Sequence, residues 1–184
     1  MTYKMNIAGL DRELPLCRLS DDLTIGAFVM FGDVELTVAC AAELLKKAPE
    51  FDYLVAPEAK AIPLIYEMAR QAGLNDYLLV RKNKKAYMQG VFEVTVHSIT
   101  TEGEQKLYMD AVDAAKMKGK RIAVIDDVIS TGASLTAVET LVEKAGGNIV
   151  ARMAVLAEGE AADRDDIIFL ERLPLFNADG TVKE

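Results

Sequence analysis

The chain has 184 residues, 51% hydrophobic and 27% charged, so it can bury a full core without a disulfide or metal staple and is not a disordered chain. A formal net charge of −8 disfavours general affinity for nucleic acid or anionic lipid. Cys17 and Cys40 form no C-x-x-C, and no stretch approaches the roughly 18 consecutive apolar residues of a membrane span. Reduced buried thiols, no membrane or nucleic-acid partner and, with no secretory signal at the N-terminus, a cytoplasmic location are the expectations.

Residues 1–30 read as short strands and turns, with apolar runs over 14–19 and 25–31. A helix is expected next, with Asp33 as N-cap, Leu36, Ala39, Ala42 and Leu45 along one side, Lys46 and Lys47 in the last turn, and Pro49 as a stop. Residues 51–56 read as a strand, 61–72 as a helix closed by Gly73, and 77–80 as another strand. Residues 87–108 are less regular. Within them, 91–99 suits a strand or hairpin arm, and 88–108 as a whole reads as a long loop able to close over a site. A short apolar strand at 122–125, a helix at 134–145, a strand at 149–156 and a weaker one at 167–170 complete the pattern. Alternating strands and helices of this length predict an α/β fold, a Rossmann-like parallel sheet flanked by helices. Ligands of such sheets bind beyond the C-terminal strand ends.

The most informative run is Ile122-Ala123-Val124-Ile125-Asp126-Asp127-Val128-Ile129-Ser130-Thr131-Gly132-Ala133-Ser134. An apolar strand leads to two carboxylates, a loop of small and hydroxyl residues, and a helix. A helix N-terminus offers free N–H groups and partial positive charge to a phosphate. Gly132 allows close backbone approach, while Ser130, Thr131 and Ser134 add hydroxyl donors. Asp126 and Asp127 are placed to accept hydrogen bonds from vicinal ribose hydroxyls. No Lys follows Gly132, which excludes a nucleotide-hydrolase P-loop, and no G-x-G-x-x-G is present. A plain helix cap with an exposed neighbour is the bland alternative for the Asp pair.

This run resembles the motif for 5-phosphoribosyl-1-pyrophosphate (PRPP) in the type I phosphoribosyltransferases, with the purine (adenine and xanthine) branches most similar. The resemblance implies that Asp126 and Asp127 hold the ribose hydroxyls and that Ser130, Thr131, Gly132, Ala133 and Ser134 cradle the 5-phosphate. It implies a pyrophosphate loop at Glu58, Ala59 and Lys60, where a cation at a helix start is also a common surface feature. The cluster Arg81-Lys82-Asn83-Lys84-Lys85 fits either a solvated loop or a polyanion site. The resemblance gives pyrophosphate to Lys82 and Lys85, with Arg81 also structural. A loop carboxylate, Glu102 or Glu104, is implied as general acid/base, and the lone His97 reads as a plain hairpin residue.

The resemblance covers roughly residues 33–157. It implies one domain over 1–184, with 33–157 as core and 1–32 and 158–184 as a small hood forming the base pocket, in which Arg18, Phe28 and Phe176 are candidates. Three positions depart from the adenine branch: Lys60 replaces Arg, Ala133 replaces a second Gly, and Thr101-Glu102 replaces Glu-Tyr. The implied activity is transfer of 5-phosphoribosyl from PRPP to a nucleobase, adenine first. Mg²⁺ comes bound with PRPP and without direct protein ligands, and the assembly is a homodimer. A PRPP-sensing or inactive homologue and a xanthine- or orotate-type transferase are the alternatives.

Overall fold

The structure, a computed structural model, describes residues 1–97 and 104–183. The N-terminal segment forms an antiparallel sheet of β1 (Thr2–Ile7), β2 (Leu10–Arg18) and β3 (Thr24–Gly26). Five parallel strands follow: β4 (Tyr53–Pro57), β5 (Leu78–Val80), β8 (Arg121–Ile129), β9 (Asn148–Glu158) and β10 (Ile168–Leu173). Their spatial order is β10-β9-β8-β4-β5. From β4 the chain steps outward to β5. From β8 it steps the other way, to β9 and then β10. The sheet therefore has a switch point between β4 and β8, where the loops leaving the two strands diverge and open a crevice.

The helices α1 (Val34–Lys47), α2 (Ile62–Gln71), α3 (Ala111–Lys116) and α4 (Ala133–Lys144) cover the sheet. Period-two alternation in β8 sends Ala123 and Ile125 into one core, with Leu36, Leu44, Leu64 and Met68 of α1 and α2. Ile122 and Val124 enter the other, with Leu135, Val138 and Leu141 of α4. Strong local signals fix α1. The Leu36 N–H donates to the Asp33 carboxylate at 3.0 Å, and Glu35 and the Lys46–Lys47 pair complement the helix dipole. Arg12 of β2 donates to Asp33 at 2.7 Å and to Glu35 at 2.8 Å, which ties the N-terminal sheet to the start of α1.

Four expectations need correction. Of the two thiols expected to be buried, Cys40 is buried but Cys17 is exposed. Residues 104–108 are not loop: β6 (Val91–His97) and β7 (Glu104–Asp110) form an antiparallel hairpin, and alternating Val94, Leu107 and Met109 enter the second core. The central strand does not stop at Ile125 but runs to Ile129, because pairing with β9 continues past the Asp pair. The last strand likewise extends to Leu173 through parallel pairing with β9. The helix α3 and a 3-10 turn at Gly159–Asp163 were not anticipated.

Candidate active site

The crevice opens as a cleft of about 480 Å³ along the C-terminal strand ends. Asp126 and Asp127 reach it from β8, Glu58 and Lys60 from the loop after β4, and Ser130 and Ser134 from the start of α4. Lys60 Nζ lies 3.2 Å from Asp127 Oδ2, spanning the switch point. Asp127 is buried, and this oxygen still has no hydrogen-bond donor among the described residues. The contact with Lys60 is thus an ion pair lacking hydrogen-bond geometry. A buried acceptor left in this state suits a ligand hydroxyl or a metal-bound water. The Asp127 N–H donates to Asp126 Oδ1 at 2.9 Å. Burial first, and the neighbouring Asp127 carboxylate second, push the Asp126 carboxyl well above the usual carboxylate range.

The loop from Ser130 to Ser134 wraps a small concavity of its own. Gly132 stands at the N-cap of α4 with φ 80°, a left-handed conformation that suits glycine, and no side chain caps the helix. The free N–H groups of the first turn therefore face the concavity ready for an anion. Arg164 Nη1 would stand 3.0 Å from a Cβ placed on Gly132, so the guanidinium lies close against the loop.

Glu58 organises the other wall. Its carboxylate accepts from Arg81 Nη1 at 3.0 Å and from the Lys82 N–H at 2.9 Å. Burial pushes Glu58 up, but these two donors and the charges of Lys85 and Arg81 outweigh it and hold the carboxyl below its ordinary value. The Arg81 backbone exchanges hydrogen bonds with Tyr108 of β7 at 2.7 and 2.8 Å, which docks the hairpin on the end of β5. The peptide bond between Glu58 and Ala59 is cis.

The model of the phosphoribosyl transferase domain matches residues 37–177. The chain belongs to that family. A hypoxanthine/guanine phosphoribosyltransferase of Methanococcus voltae is 34% identical over 113 residues, 61% of this chain and 56% of that protein. An adenine phosphoribosyltransferase of Thermosipho africanus is 39% identical over 121 residues, 65% of this chain and 66% of that one. The chain thus spans less than two thirds of the length of either relative. The structure of Giardia lamblia APRTase complexed with 9-deazaadenine superposes with a TM-score of 0.64 at 17% identity, covering 94% of this chain and 93% of that one, which shows the shared fold.

Within this phosphoribosyl transferase domain the predicted site residues divide into groups. Asp126, Asp127, Glu58, Ala59, Lys60, Lys82, Ser130, Ser134 and Phe28 line the main cleft, and Thr131, Gly132 and Ala133 line the adjoining concavity. Lys85 is half-buried and acts on Glu58 through its charge. Arg81 is half-buried and held by Glu58 and Tyr108. Arg18 and Phe176 are not brought to the cleft. Arg18 is exposed and pairs with Asp21 at 2.7 Å. Phe176 is fully buried beneath the N-terminal sheet, exchanging backbone hydrogen bonds of 3.0 Å with Thr24 and meeting the Tyr3 ring edge-on at 5.0 Å. Glu104 opens β7 opposite His97, and Glu102 lies outside the described residues. The tail from Leu173 to Phe176, expected near the base, brings Leu173 to the cleft, and the sequence reading missed its β9 partner Glu158, which lines the cleft beside it. The only signal for Glu158 was position at a parallel strand end.

Proposed function

We propose that the protein transfers 5-phosphoribosyl from PRPP to a purine base, adenine, releasing pyrophosphate and forming the nucleoside monophosphate. The observation that carries this reading is the Lys60–Asp127 pair across the switch point, beside the uncapped start of α4. One cleft thereby holds acceptors for ribose hydroxyls, N–H donors for a 5-phosphate and cations for a pyrophosphate. In the reaction a base nitrogen forms a bond to C1 while the C1–O bond breaks, the electron pair leaves on pyrophosphate, and the proton of that nitrogen is released to pyrophosphate or solvent. Positive charge that develops on the sugar ring lies near the two carboxylates. Lys60 and Lys82 meet the negative charge growing on the leaving group. The protein acts by positioning and charge, with no covalent intermediate.

Among the described residues no cluster of three His, Cys, Asp or Glu could hold a metal ion. The donor set fits Mg²⁺ brought with PRPP, which the unsatisfied Asp127 Oδ2 would help to hold by accepting from its bound water. Such an ion would neutralise pyrophosphate charge. A homodimer and a cytoplasmic location belong to the same reading. Exposed Val34, Val38 and Tyr66 beside a shallow groove support the first, and no described helix is long and apolar enough to cross a membrane.

The test is pyrophosphate release with Mg²⁺ and PRPP against adenine, guanine, hypoxanthine, xanthine and orotate, with Asp126→Ala/Asp127→Ala as control. Turnover of adenine, lost in the control, is expected. Turnover of xanthine or orotate alone would reassign the base. PRPP binding with silence toward all five would replace the transferase with a PRPP-sensing or inactive homologue.

A further inference from the structure

One carboxylate of the cleft has no part in the chemistry above. Glu158 ends β9 and is half-buried in the cleft wall. It precedes the 3-10 turn without capping it, and no hydrogen bond or ion pair engages its carboxylate among the described residues. Carboxylates withdrawn from water normally have a partner, so this one is placed for something that binds. Burial pushes its carboxyl above the usual value, against the pull of the Lys60 charge.

Its place on the sheet indicates which part of a ligand it meets. Across the strand ends, Leu173 and Glu158 stand on β10 and β9, Asp126 and Asp127 on β8, and Lys60 and Lys82 follow β4 and β5. Displacement at C1 brings the incoming base to the sugar face opposite the departing pyrophosphate. With the ribose against β8 and pyrophosphate toward β4 and β5, the base enters on the β9–β10 side. The wall there is Ile25, Ala27, Phe28 and Leu173, apolar surfaces suited to the faces of a flat ring. Glu158 supplies the polar group able to meet the ring's edge.

We propose that Glu158 reads the base, accepting a hydrogen bond from the exocyclic amino group of adenine and rejecting purines that present a carbonyl oxygen there. This inference rests on the phosphoribosyltransferase reading of the cleft. An ionised carboxylate is an acceptor only, so an amino group satisfies it, while a carbonyl sets lone pair against lone pair and leaves both groups desolvated and unpaired. Glutamine keeps the shape but adds an N–H donor that suits a carbonyl, so Glu158→Gln weakens the preference for the amino group without emptying the pocket.

The experiment is equilibrium binding of AMP, IMP and ribose 5-phosphate to wild type, Glu158→Gln and Glu158→Ala, which requires no turnover. Wild type is expected to favour AMP over IMP by about tenfold or more, the scale of one charged hydrogen bond in a half-open site. In both variants the ratio is expected to fall below about threefold, with ribose 5-phosphate affinity unchanged, since the amino group's charged acceptor is gone. An AMP/IMP ratio near one in wild type, or a ratio unaltered by both substitutions, would overturn the proposal, as would failure of wild type to bind either nucleotide. Failure of the transferase reading has a different signature: a Glu158-dependent AMP preference with no pyrophosphate released from PRPP and adenine.

Discussion

Replacing Lys60 with alanine, Asp127 with asparagine, and both together isolates the ion pair that bridges the switch-point crevice. At 3.2 Å the two charges attract by about 1.3 kcal/mol under bulk-water screening and by about 5 kcal/mol at an effective dielectric of ~20. The Lys60 side chain is 53% exposed and that of Asp127 only 6%, which places the pair toward the screened limit, and a coupling of about 1–2 kcal/mol is expected. The single variants should be unequal. Lys60→Ala leaves the buried Asp127 carboxylate with no cation, whereas Asp127→Asn leaves only the half-exposed Lys60 ammonium without its partner, so the alanine variant is expected to lose more stability. Urea unfolding of the four proteins at neutral pH gives the cycle. Repeating it near 1 M salt, where the Debye length is about 3 Å, should reduce the coupling. A coupling below about 0.5 kcal/mol, within the additivity error of independent sites, would refute the claim that the pair holds the two walls together.

Two further outcomes follow from the same geometry. Asp126→Asn should stabilise the unliganded fold progressively as pH rises. A carboxyl whose folded value lies above the ordinary 3.8 contributes its stability below 3.8 and loses it as pH climbs through the raised value, whereas asparagine does not titrate. Thermal unfolding at mildly acidic and mildly alkaline pH reads this, and equal differences between the two proteins at both would contradict it. Gly147→Ala should destabilise by about 1–3 kcal/mol through overpacking. Its Cβ would stand 2.8 Å from Val142 Cγ1 and 2.9 Å from Ile122 Cγ1, between α4 and β8. Chemical denaturation measures the loss, and an unchanged midpoint would show that the core there can yield.

The elements legible in the sequence were those whose local and tertiary signals agree. Asp33, Leu36 and the two lysines mark both ends of α1, and the apolar run before Asp126 marks a strand buried on both faces. Where signals conflict, reading failed. Aspartates are poor strand residues, so β8 was ended at Ile125, yet its ladder with β9 carries the carboxylates onward. In β7 the inward positions Leu107 and Met109 alternate with Lys106 and Tyr108, a period-two pattern masked by its polar neighbours. The Asp pair and the concavity at the start of α4 lie within one continuous run, which explains why they were visible. The apolar side of the cleft is assembled from the β3 segment, β9 and β10, whose adjacency depends on strand order, so Glu158 stayed hidden, and Phe176, expected at the cleft, lies buried away from it.

The N-terminal segment that lines one side of the cleft and the β6–β7 hairpin docked beyond β5 rest on separate foundations. The N-terminal segment packs through Ile7 and Leu14 of its sheet and through Phe28 and Met30 after β3 into the α1–α2 layer, while the hairpin packs through Val94, Leu107 and Met109 into the α3–α4 layer across the sheet. Substitutions that reshape the surface offered to a base therefore disturb one layer and leave the hairpin's anchorage on β5 intact. On the proposed transferase reading, such a scaffold would let selection retune the base side of the cleft while the Asp pair and the start of α4 stay in place. Divergent base preference among descendants of one ancestral chain is the evolutionary behaviour that this division favours.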